Sequence, residues 1–268
     1  MPGPRPAELG PTVAELDFVG LGLSDERGLS ERAWEALRAA DAVFLEEYTA
    51  VAPPGTVARI AGRLGRPVTV LDRAALESEK PILDTLARVP RVALLVVGDP
   101  FAATTHVALR VAVETAGHTW RYFPNASVLV AAAGFLGLQQ YRFGRTVSLP
   151  FAEPGFDPRS PLEQIASNRA IGLHSLVLLD LRPSDGRFLT GTEALGRLRS
   201  LDPDGTTLPT GTWVAVVARV GREDPAAWYG PMETLAGLDF GPPMHVVVVP
   251  AAELHFEETA ALERFRVP

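Results

Sequence analysis

Apolar and polar positions follow two rhythms along the chain. Apolar runs of strand length at 16–23, 43–47, 68–71, 92–97 and 118–123 are separated by stretches whose apolar residues recur at helical spacing. Those stretches predict helices over 30–40, 57–64, 81–89 and 104–116. Ser30 stands where an N-cap belongs, Pro81 takes a tolerated first-turn position, and Gly117 ends the last helix. The run at 92–97 shows no period-two alternation, as expected of a strand covered on both faces. Strands alternating with helices at this spacing predict a parallel sheet.

Near Pro124 and Asn125 the texture changes. A small-residue helix over 127–136 comes first. Strands over 145–151, 175–181, 213–220 and 245–249 follow, with helices over 161–171 and 193–201 and a short strand around Trp228. This half reads as a mixed α/β layer with some antiparallel pairs. The expected organisation is a Pro/Gly-rich tail over 1–14, an α/β domain over 15–124 and a mixed α/β domain over 125–268.

Composition narrows the function classes. The chain has 268 residues, 47% of them hydrophobic and 21% charged, which suits packed cores in a soluble protein. No apolar run approaches the roughly 18 residues that span a bilayer, and the first residues contain no apolar signal region. There is no cysteine, which removes disulfides, thiolate metal sites and cysteine nucleophiles together and agrees with a cytoplasmic location. A net charge of −7 argues against broad nucleic-acid binding. The five histidines do not fall at metal-ligand spacing, and no G-x-S-x-G elbow is present, so neither a metal nor a serine nucleophile is expected.

Glycines mark two strand ends. Gly20 and Gly22 close the first strand, where the missing side chain lets a ligand or another backbone approach. A dinucleotide fingerprint fails here. Asp25 stands in place of the third glycine, Asp25 and Glu26 would oppose a pyrophosphate, and the helix starts too late to offer its N-terminus. The second mark is "VVGDPFAATTH": Gly98 ends a strand, Asp99 offers an acceptor, Pro100 fixes the turn, and Thr104 is the expected cap of the next helix. An Asp-Pro turn with an N-cap accounts for that stretch without a ligand. Two glycine-marked strand ends in one half favour a site, because ligands of open α/β sheets bind outside the carboxyl ends of the strands.

The blocks "GLGLSDERGLSERAWEALRAADAVFLEEYT", "GDPFAATTH", "AAAGFLGLQQYRFG", "GLHSLVLLDL", "VAVVARVG" and "DFGPPMHVVVVP" occur in that order. In this series the chain resembles the diphthine synthase family, in the tetrapyrrole-methylase-like class of S-adenosylmethionine-dependent methyltransferases. The likeness runs from Leu16 to about Phe256. It implies a two-domain tetrapyrrole-methylase-like fold, a mainly parallel N-terminal sheet, a mixed C-terminal sheet, S-adenosyl-L-methionine in the interdomain cleft, and a homodimer. It also implies the reaction: trimethylation of the amino group that a modified histidine of translation elongation factor 2 carries, with S-adenosyl-L-homocysteine as by-product.

Carried over position by position, the resemblance implies cofactor contacts at Leu23, Asp99, Ala102, Ser127, Val128, Leu179, Val220 and His245. Apolar walls suit an adenine, and Asp99 and Ser127 suit its polar attachments. The family often has "HGVS" or "HAPS" before the small-residue helix, where this chain has "PNASV". No residue compels assignment as a general base. His106 reads equally as a cap and as a substrate contact, and His174 reads as structural. Arg142 and Arg145 have the chemistry to meet a substrate carboxylate, although a solvated surface is the simpler reading. The competing functions are a tetrapyrrole C-methyltransferase, a non-catalytic S-adenosylmethionine-binding protein and a nicotinamide oxidoreductase.

Overall fold

The computed structural model describes residues 13–156 and 158–268, so most of the expected tail lies outside the described residues. Two compact units meet in sequence between Ala126 and Ser127. In the first, strands β1 (Glu15–Gly22), β2 (Ala42–Glu46), β3 (Thr69–Leu71), β4 (Arg91–Val97) and β5 (Thr119–Phe123) form one sheet. Their order is β3-β2-β4-β1-β5, and every neighbouring pair is parallel.

Helices cover both faces of that sheet. On one face Val19, Leu21, Ala93 and Leu95 pack with Trp34 and Leu37 of α1 (Glu31–Ala39) and Ile60 of α2 (Thr56–Leu64). On the other, Leu16, Phe18, Leu94 and Val96 pack with Leu76 of α3 (Arg73–Glu77) and Ile82 and Leu86 of α4 (Lys80–Leu86). Leu109 and Val113 of α5 (His106–Thr115) complete that layer. Both faces of β4 are therefore dry, which is why its sequence runs apolar without alternation. Each large aliphatic side chain so buried contributes about 1.5–3 kcal/mol.

The Ser30 side chain caps α1 by accepting from the amide of Ala33 at 3.2 Å. At α5 the expectation fails. The N-cap residue is Thr105, which makes no side-chain cap bond, while the Thr104 hydroxyl turns back to donate to the Pro100 carbonyl at 2.6 Å. Thr104 stabilises its own turn instead of the helix.

The second unit begins with α6 (Val128–Leu136). It continues through β6 (Val147–Leu149), α7 (Ser160–Ala170), β7 (Ser175–Leu179), the short hairpin β8 (Leu181–Arg182) and β9 (Arg187–Phe188), and α8 (Gly191–Leu201). The remaining elements are β10 (Trp213–Ala218), β11 (Ala226–Pro231), α9 (Met232–Leu235), β12 (His245–Val249) and α10 (Phe256–Leu262). The sheet order is β11-β10-β12-β7-β6, with β6 and β7 parallel and the other pairs antiparallel. This is the expected mixed sheet. The strand foreseen around Trp228 is a full six-residue partner of β10. Neither α10 nor the β8–β9 hairpin was anticipated.

Candidate functional site

The sheet of the first unit changes direction at β1 and β4. From β1 the chain passes over β4 to reach β2, and from β4 it passes over β1 to reach β5. Loops therefore leave the carboxyl ends of these two neighbours in opposite senses, which opens a crevice of the kind that holds ligands in α/β sheets. Both glycine marks lie there. Gly22 and Gly98 exchange backbone hydrogen bonds of 3.0 and 2.8 Å, and both have positive φ, 77° and 82°. Leu23 leaves this bridge half-buried, and Ala102 sits in the turn after β4, its amide donating to the Asp99 carbonyl at 3.2 Å.

Asp99 is the hub of the crevice. It is 8% exposed. Its Oδ1 accepts from the amide of Phe101 at 3.0 Å, and its Oδ2 accepts from the Tyr122 hydroxyl at 2.5 Å and the Asn125 amide at 3.1 Å. Burial and this hydrogen bond to Asp99 push the Tyr122 phenol up to about 12. Three donors on two oxygens leave a carboxylate with one acceptor position to spare. The Asp-Pro turn is real, and it leaves one acceptor position of the carboxylate without a donor among the described residues.

Asn125, which the sequence marked only as a departure from the family pattern, ties two more segments to its own. Its Nδ2 donates to the carbonyls of Gly20 at 2.9 Å and Gly28 at 3.0 Å, and its Oδ1 accepts from the amide of Ala126 at 2.8 Å. A Cβ on Gly20 would lie 2.7 Å from the Asn125 Cβ and 2.9 Å from the Gly98 carbonyl oxygen. Of the two reasons offered for this glycine, close approach of the chain itself is the one realised.

In the second unit the expected residues divide between the faces of the sheet. Val128 and Val220 flank the cluster formed by Ala132, Leu136, Val217 and Val246. Leu179 belongs to the opposite face, with Val216 and Phe240. Leu179 ends β7, His245 begins β12, and Val220 lies just past β10, so all three collect at one end of the sheet. Ser127 caps α6, accepting from the amide of Leu129 at 3.3 Å.

His245 is held by its own unit. Its Nδ1 accepts from the amide of Gly191 at 3.1 Å, and its Nε2 lies 3.1 Å from the Pro242 carbonyl, so Nε2 carries the proton. His174 has the same tautomer: Nδ1 accepts from the amide of Ala251 at 2.9 Å, and Nε2 donates to Glu258 at 3.1 Å. That bears out its structural reading. Arg142 is not free to meet a substrate, since its guanidinium is bonded to Glu258 and to the Glu253 carbonyl. His106 is buried, with Nδ1 donating to the Pro100 carbonyl at 2.7 Å.

Burial holds both His174 and His245 below the usual histidine value. A depressed folded value means that the unfolded chain takes up protons first. The stability contributed by the neutral rings is complete above about pH 6.5 and falls as the pH drops below it. Denaturant melts at pH 7.5 and 5.5 should show an earlier midpoint at 5.5, and equal midpoints would refute the assignment.

Comparison with known proteins follows the same lines. The family model of the Tetrapyrrole (Corrin/Porphyrin) Methylases matches residues 15–236. A diphthine synthase of Methanothermobacter thermautotrophicus is 39% identical over 245 residues, 91% of this chain and 92% of that protein. One of Methanococcus maripaludis is 37% identical over 250 residues, 92% of this chain and 97% of the relative. A crystal structure of diphthine synthase superposes with a TM-score of 0.85 at 34% identity, covering 94% of this chain and 96% of the other.

Proposed function

Because the chain belongs to the tetrapyrrole methylases, and among them to the diphthine synthases, S-adenosylmethionine-dependent methyltransferases of diphthamide biosynthesis, we propose that it trimethylates the amino group of the 2-(3-amino-3-carboxypropyl)histidine of elongation factor 2. The observation that carries this reading is the crevice at β1 and β4, where a buried carboxylate with a spare acceptor position stands at a direction change of the sheet. We place the work in the cytoplasm, where translation occurs, and take the working form to be a homodimer. Among the described residues no helix is long and apolar enough to cross a membrane.

The residues present suit the methyl donor. Asp99 has an acceptor position for a donor group, and Leu23 and Ala102 supply half-buried apolar surface beside it. In this reading Ser127, Val128, Leu179, Val220 and His245 complete the contacts. His245 would meet the cofactor through its ring, because both nitrogens are engaged within the chain. Bound S-adenosylmethionine supplies a methyl group already activated on a sulfonium. The task left to the protein is orientation and exclusion of water, and orientation alone is worth roughly 7–11 kcal/mol in favourable cases. The acceptor amine must be neutral before each transfer. The Gly22–Gly98 bridge and the Asp99 carboxylate, held by three donors with one acceptor position left, suit this task, since neither needs to reorganise.

Mass spectrometry tests the proposal. The protein is incubated with S-adenosylmethionine and elongation factor 2 bearing the unmethylated side chain. Three added methyl groups on that histidine are expected. In a parallel incubation with a tetrapyrrole, transfer there instead would convert the reading to the tetrapyrrole C-methyltransferase, and cofactor binding without any transfer would convert it to the non-catalytic S-adenosylmethionine-binding protein.

A further inference from the structure

The carboxyl ends of β1, β4 and β5 and the turn at Glu26–Gly28 are tied by two side chains that lie outside the expected contact set, Tyr122 and Asn125. We propose that Tyr122 and Asn125 are positioning residues for the methyl donor, acting through Asp99 and through the loop that carries Leu23. The proposal rests on the assignment of Asp99 to the cofactor and adds what sets the position of that carboxylate.

The geometry distinguishes the two roles. Tyr122 lies on β5, an edge strand, and its ring packs 5.0 Å from that of Phe101. Its hydroxyl reaches across to Asp99 Oδ2, while the amide of Phe101 holds Oδ1 from the other side. The carboxylate is thus clamped at both oxygens, and its remaining acceptor direction is fixed. The raised phenol value agrees with a hydroxyl that stays protonated as a donor. Asn125 works on the loop. Its two amide hydrogens go to the carbonyls of Gly20 and Gly28, which bracket residues 21–27, so a single side chain staples both ends of the segment containing Leu23. Its own backbone amide donates to the same Asp99 oxygen as Tyr122. The backbone amide and both polar side-chain atoms of Asn125 are used, and all of their partners are backbone groups or Asp99. Exchange of Asn for Asp would turn a carboxylate oxygen toward two carbonyls and break the staple.

The test is a binding cycle read by calorimetry with S-adenosylhomocysteine, on the full chain. Tyr122→Phe keeps the ring and its packing on Phe101 and removes one hydroxyl. It should weaken binding about tenfold, the usual scale for a hydrogen bond to a charged group. In turnover assays the deficit should appear as a raised KM for S-adenosylmethionine and be recovered at saturation. In an Asp99→Ala background the same substitution should have no further effect, because the group it acts through is gone. Asn125→Asp should weaken binding by at least about tenfold by the same reasoning.

A Tyr122→Phe protein that melts earlier but binds as the parent does would show a structural role only and overturn the proposal. Equal losses in the parent and Asp99→Ala backgrounds would overturn it too, while leaving Asp99 assigned to the cofactor. Undiminished binding by Asp99→Ala alone would remove that assignment, and the proposal with it.

Discussion

Glu258→Ala is expected to cost about 3–5 kcal/mol of stability, the range for breaking a buried ion pair from one side. Glu258 is fully buried, on α10. Its Oε1 accepts from the amide of Gln139 at 3.0 Å and from His174 Nε2 at 3.1 Å. Its Oε2 accepts from the amide of His255 at 3.1 Å and from the Arg142 guanidinium. Alanine would leave four donors without an acceptor, one of them cationic and only partly exposed. Glu258→Gln should recover part of the loss, because an amide keeps one acceptor oxygen but turns hydrogens toward the other donors. Equilibrium denaturation with guanidinium checks both. A shift under about 1 kcal/mol for alanine would mean that water replaces the carboxylate, contrary to the burial.

The same network fixes a second pH window. Burial alone would raise the Glu258 carboxyl, but the amides of Gln139 and His255 and the His174 ring outweigh it and hold it below its ordinary value. Its contribution is complete above the unfolded carboxylate range and is lost as the pH falls through the lowered value. The histidines weaken the fold first on acidification, and this carboxylate follows.

Glu258 also shows where the sequence is hard to read. In "FEETAAL" the large apolar residue, Phe256, is exposed, and the acid two positions on is buried. A hydrophobic period finds helices by their apolar stripe, so a helix held in place by a carboxylate is invisible to it. The β8–β9 hairpin was missed for a related reason: two-residue strands in "LRPSDGRF" are too short to show alternation. The sheets were legible because continuous burial leaves a plain mark. Val92 to Val96 are all fully buried. The same contrast holds at the site. Gly22, Gly98 and Asp99 announce themselves by local turn chemistry. Tyr122 and Asn125 act on partners 23 and 105 positions away, and only the folded sheet brings those together.

Gly20→Val should abolish cofactor binding and cost about 1–3 kcal/mol through overpacking. Gly20 does not have the positive φ of Gly22 and Gly98, so its backbone would accept a side chain. Space is the obstacle. Two of the three atoms within 3.0 Å of an added Cβ, the Gly98 carbonyl oxygen and the Asn125 amide nitrogen, are backbone, and the third is the Asn125 Cβ. None can swing aside as a long side chain would. Relief requires β1 to separate from the segments after β4 and β5, which breaks the Gly22–Gly98 bridge and the Asn125 staple together. Gly62, inside α2, is the control. An added Cβ there meets nothing within 4 Å, so Gly62→Ala should stabilise by about 0.5–1 kcal/mol through helix propensity and leave binding unchanged. Calorimetry with S-adenosylhomocysteine and thermal melts on the two variants give the comparison. A Gly20→Val protein that binds like the parent would mean that the strand ends at β1 and β4 need not touch for the cofactor to be held.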